Sequence, residues 1–151
     1  MTSLTLVRRI KARPSIVFDA ITTPEGLACW FGPDAGPVLM AESDARVSGC
    51  FRVRFRTMDG SEHTCSGEYL ELTPVHVAMS WRWEGGAEDP GQSRLEIRLR
   101  PIPEGTELTL THSLLHDEES RKSHEEGWIG ALDKLERHFL KIAKGEYHDQ
   151  A

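Results

Sequence analysis

Four tryptophans and two histidines are the side chains in this sequence whose types and spacing point to chemistry. Trp81 and Trp83 are two residues apart and share one face of a strand. Trp128 lies on the apolar stripe of a helix, and Trp30 closes a short one. With Phe51, Phe55, Met40, Met79 and Leu132 nearby, these residues could wall a space for a flat or apolar ligand. The competing reading is an ordinary core, because large apolar residues are usually just buried. His112 takes an apolar-phase position between Leu110 and Leu114. A buried imidazole needs a partner, so it meets either a ligand or a structural hydrogen-bond partner. His124 stands four residues before Trp128, on the same helical face. It reads either as flanking a cavity mouth or as a solvated helix-end residue.

Other chemistry finds little support. His63-x-Cys65 is the only close pair of soft ligands, whereas structural zinc takes four. His124-Glu125-Glu126 lacks the second histidine of a zinc-protease helix. There is no Gly-x-Ser-x-Gly elbow and no phosphate-binding loop. No metal, cofactor or catalytic residue is therefore assigned. Cys29, Cys50 and Cys65 are odd in number and far apart, which suits a reduced, cytoplasmic protein.

The elements that position these residues follow from periodicity. Residues 3–12 form a mixed strand. Pro14 and Thr23-Pro24-Glu25 each start a short helix, the second with a hydroxyl cap. Ile16, Val17, Ala20 and Ile21 face one side of the first, and Gly32-Pro33 stops the second. From about 37 to 115 the period is two. Phe51, Val53 and Phe55 alternate with arginines; so do the runs Val75–Trp83, Leu95–Leu99 and Leu108–Leu114, each against polar residues. Asp59-Gly60, Thr73-Pro74, Gly85-Gly86 and Glu104-Gly105 supply turns, and residues 84–93 read as a long mobile loop. Asp117 caps a last helix whose stripe is Trp128, Leu132, Leu135, Phe139 and Ile142, with Gly145 as its stop.

The 151 residues fit one domain, ordered over about 3–144. A 38% hydrophobic fraction and 28% charged residues describe a globular chain. The excess of 24 acidic over 18 basic residues, net −6, disfavours nucleic acid as partner. No apolar run reaches the ~20 residues of a membrane span, and no signal peptide is visible. The outward phase of the sheet carries Arg52, Arg54, Arg56, Arg82, Arg94, Arg98 and Arg100, read as a solvated face or as a basic surface for an acidic partner.

Four stretches, Gly26–Pro33, Asp44–Phe51, Gly67–Trp81 and His124–Leu135, carry a resemblance. In their order the chain resembles the heat-shock protein 90 ATPase activator homologue-like family, of the C-terminal-domain type. That family sits in the START-like (SRPBCC) helix-grip superfamily. Where the family usually has two glycines, this chain has Ser48-Gly49. The resemblance implies an α+β helix-grip fold: about seven antiparallel strands curved around a long C-terminal helix, in the order β-α-α-β6-α, with a ligand-sized cavity between them. Three functions follow as expectations. The first is a module binding a small apolar or aromatic molecule, with Trp81, Trp83, Trp128 and Phe51 as walls and His112 as the orienting contact. The second is a cyclase- or hydrolase-like enzyme using the same cavity. The third is a co-chaperone-like module with a chaperone as partner. A monomer or homodimer is expected.

Overall fold

The computed structural model describes residues 2–84 and 92–143. The elements run β1 (Thr2–Ile10), α1 (Pro14–Thr22), α2 (Pro24–Trp30), β2 (Val38–Ser43), β3 (Cys50–Arg56), β4 (Glu62–Thr73), β5 (His76–Trp83), β6 (Ser93–Ile102), β7 (Gly105–Leu115) and α3 (Glu118–Ala143). The strands make one curved antiparallel sheet in the order β1-β7-β6-β5-β4-β3-β2. This is the α+β helix-grip arrangement. The Gly85-Gly86 turn, most of the 84–93 loop and Gly145 lie outside the described residues.

Alternation explains which face is buried. On β3, Phe51, Val53 and Phe55 point inward while Arg52, Arg54 and Arg56 point out. Leu95, Ile97 and Leu99 do the same on β6, and Leu108, Leu110 and His112 on β7. The inner face packs against Trp128, Ala131, Leu132, Leu135 and Phe139 of α3, which recur at helical spacing. Local signals set the helix ends. The Thr23 hydroxyl accepts from Gly26 N–H at 3.0 Å, and Asp117 Oδ1 accepts from Ser120 N–H at 2.8 Å. Gly32, at φ +95°, turns the chain sharply out of α2.

Five residues depart from the periodic reading, among them Ala78, which is fully buried on the polar phase of β5. Ile16 and Ile142 are exposed, one near the start of its helix and the other near the end. Val75 sits in the turn before β5 and is exposed. Leu114 has φ +60°, which swings it outward and turns Leu115 into the core instead. The outward arginines are largely paired: Arg52 with Glu84, Arg54 and Arg56 with Glu62, Arg94 and Arg98 with Glu96, and Arg100 with Glu107. Among the described residues, no helix is long and apolar enough to cross a membrane.

Candidate functional site

Two Trp–His pairs cross between sheet and helix. Trp128, on α3, donates its indole N–H to Nδ1 of His112, on β7, at 3.0 Å. Trp83, on β5, donates to Nε2 of His124, on α3, at 3.0 Å. The two imidazoles touch edge to face, with centroids 4.8 Å apart. These partners select the tautomers. Because Nδ1 of His112 accepts, its Nε2 carries the proton and donates to Ser93 Oγ at 2.7 Å. Because Nε2 of His124 accepts, its Nδ1–H donates to the Ser120 carbonyl at 2.8 Å. Both rings are neutral. Burial, with the neighbouring His124, pushes His112 down to about 3; burial lowers His124 as well, against the Ser120 bond.

Beside this clamp lies a cleft of about 540 Å³ between the sheet and α3. Its rings are Phe31, Phe55, Trp81, Trp83 and Trp128, with His63 and His124. Trp81 meets Trp83 at 84° and Trp128 at 61°, while it stacks on Phe31 at 25°. Phe55 meets Trp83 at 70°. Trp81 carries the one buried side-chain N–H that has no hydrogen-bond partner among the described residues. The α3 side of the cleft is Ser123, His124, Glu126, Gly127, Trp128 and Ala131.

The segment after α2 forms the remaining wall. Lys134 Nζ donates to the carbonyls of Phe31 and Asp34, both at 2.7 Å, and so ties that segment to α3. Burial lowers the Lys134 ammonium, opposed by Asp34. Gly130 lets the segment come close: a Cβ there would stand 1.9 Å from the Pro33 carbonyl oxygen. The Asp34 carboxylate accepts from Met58 N–H at 3.0 Å, joining the wall to the β3–β4 turn.

Of the residues singled out from the sequence, Phe55, Trp81, Trp83, His124 and Trp128 line the cleft together. His124 is half-buried with both ring nitrogens bonded, rather than solvated. His112, Trp30 and Phe51 stand behind that lining, His112 fully buried. Trp30 is tied to the Ala20 carbonyl at 2.9 Å, joining α2 to α1. Met79 and Leu132 are buried in the core away from the lining, and Met40 is half-buried on the edge strand β2. Phe31, His63 and Glu126 were not singled out, yet they line it.

Ser61 and His63, beside the cleft, do not form a nucleophile–base pair. Ser61 Oγ lies 3.0 Å from His63 Nε2, but its hydroxyl donates to Asp59 Oδ1 at 2.7 Å. His63 is therefore the donor to Ser61. Bonds from Thr57 and Ser61 hold the Asp59 carboxyl down at about 2, so it is a poor base. Among the described residues, no group of three or more His, Cys, Asp or Glu side chains could hold a metal ion.

Known structures share this architecture. A protein from Chromobacterium violaceum is 27% identical with a TM-score of 0.80, covering 92% of this chain and 98% of its own. The AHSA1 protein from Silicibacter pomeroyi, 24% identical, covers the same shares at a TM-score of 0.82. The AHSA1-like protein from Aeromonas hydrophila, 19% identical, covers 97% and 96% at 0.75. These last two show the fold alone. No curated protein matches the sequence. The family model described as Activator of Hsp90 ATPase homolog 1-like protein matches residues 11–139, most of the chain. The chain belongs to that family.

Proposed function

We propose that the protein binds a small apolar or aromatic molecule in the cleft between the sheet and α3. The observation that carries this reading is the cleft itself: about 540 Å³, walled by five aromatic side chains. That volume falls within the ~300–1,000 Å³ of small-molecule sites. The lining imidazoles are already bonded within the protein, so ring contacts supply the bulk of the binding. Met79 and Leu132 serve the core behind the cleft rather than touching the ligand, and Met40, on the edge strand, stands away from it. His112 holds Trp128 in place and touches the ligand only through that ring.

N-phenyl-1-naphthylamine, a neutral apolar fluorophore, tests this reading. Its emission should rise saturably on titration into the protein, with energy transfer from tryptophan. Gly127→Trp should abolish the rise. A Cβ at Gly127 would meet only Pro33 Cβ, at 3.8 Å, so the added ring enters the cleft rather than clashing with backbone. A non-saturable signal, or one unchanged in a folded Gly127→Trp protein, would overturn the proposal.

A further inference from the structure

Resting on that reading, we infer that the cleft selects a planar organic cation, such as an N-alkylated heteroaromatic ring, and that Glu126 determines this preference. Glu126 is the one Asp, Glu, Lys or Arg among the lining residues. It is exposed and makes no ion pair or hydrogen bond among the described residues. Its neighbour Glu125 differs, being bonded to Arg121 at 2.8 Å. The carboxylate at this edge of the cleft is therefore unspent.

The walls favour the same sign of charge. Aromatic faces are electronegative and attract cations. The near-perpendicular Trp81–Trp83 and Phe55–Trp83 pairs turn ring faces in different directions around the space. No Lys or Arg stands among the lining residues to offset this. Lys134 is held by two carbonyls behind the wall, and His124 is neutral with both nitrogens bonded. His63 gives its Nε2–H to Ser61. An anion of the same shape would meet ring faces and a carboxylate, with no Lys or Arg in the lining.

Three bicyclic probes of matched size separate shape from charge: N-methylquinolinium, 2-naphthol and 2-naphthoate. Isothermal titration calorimetry at neutral pH should rank the cation about tenfold or more above the anion, with 2-naphthol between them. Glu126→Gln should shrink that ratio to about threefold or less while shifting 2-naphthol by less than the cation. Equal binding of cation and anion, tighter binding of the anion, or a ratio untouched by Glu126→Gln would overturn the inference. With 2-naphthol still bound and displaced by Gly127→Trp, the cleft reading survives that result. If 2-naphthol fails to bind, or binds Gly127→Trp equally well, the cleft reading fails and the inference with it.

Discussion

Trp128 and His112, sixteen residues apart, are joined by an indole N–H donated to Nδ1 at 3.0 Å, and both residues are buried. This bond pins the long helix to β7 at the back of the cleft. It also gives Trp128 a role that Trp81 lacks, because the Trp81 N–H has no partner among the described residues.

That contrast fixes an order of stabilities. Trp81→Phe and Trp128→Phe both shrink a buried ring, but only the second strands a buried imidazole nitrogen. Trp128→Phe should be less stable than Trp81→Phe by about 1–3 kcal/mol in urea denaturation. Equal midpoints would mean that the bond contributes nothing net.

Acid should loosen the clamp. The folded protein holds His112 down to about 3, against about 6.5 for an unfolded chain. Between those values the unfolded state binds the extra proton, so stability is intact above about pH 6.5 and declines as pH falls toward 3. The slope reaches at most about 1.4 kcal/mol per pH unit from this residue. His124, lowered by burial, acts in the same direction. In His112→Gln the amide can accept from Trp128 and donate to Ser93 without titrating, so the decline should flatten. A profile identical to the parent would assign the acid sensitivity elsewhere.

Two glycines on the same face of α3 should respond oppositely to alanine. At Gly127 the new Cβ meets ordinary contact distance, so Gly127→Ala should raise stability by about 0.5–1 kcal/mol through helix propensity. At Gly130 it would lie 1.9 Å from the Pro33 oxygen, so Gly130→Ala must push the cleft wall away. A loss of about 1–3 kcal/mol is expected. Thermal melts of the pair decide the matter.

Backbone strain predicts a gain at the surface. Ser48 has φ +72° and Leu114 has φ +60°, both exposed and both in the region that favours glycine. Ser48→Gly and Leu114→Gly should each raise stability by up to about 1 kcal/mol, after the added unfolded-state entropy of glycine is offset. A lowered denaturation midpoint in either would refute the strain argument at that position.

Much of this architecture was legible because one face of the sheet is wet and the other dry. Phe51, Val53 and Phe55 against three arginines could mean little else, and Thr23-Pro24 or Asp117 mark helix starts through local chemistry alone. The cleft was legible in its rings but not in its rim. Asp59-Gly60 marks a turn without fixing its length, and a two-residue turn centred there would set Phe55 opposite Thr64. Instead Thr57 N–H bonds the Ser61 carbonyl across a longer turn with Gly60 at φ +90°. That one-residue change sets Phe55 opposite His63 and brings their rings to 5.6 Å. Glu126 gave no signal, since an exposed helical glutamate looks ordinary until the cleft beside it is known. Leu114 was misplaced because a single positive φ reverses the phase of everything after it.

The position of β1 beside β7 has a consequence for how the chain acquires its shape. Thr5 and Thr111, whose hydroxyls lie 3.3 Å apart, are 106 residues apart along the chain. Every other strand pairs with a sequence neighbour. During synthesis β1 emerges first and stays unpaired until the last hairpin has formed, exposing a strand edge throughout. Closing this seam brings the largest loop-closure cost in the sheet, so it is the step at which a nascent chain is most open to pairing with another.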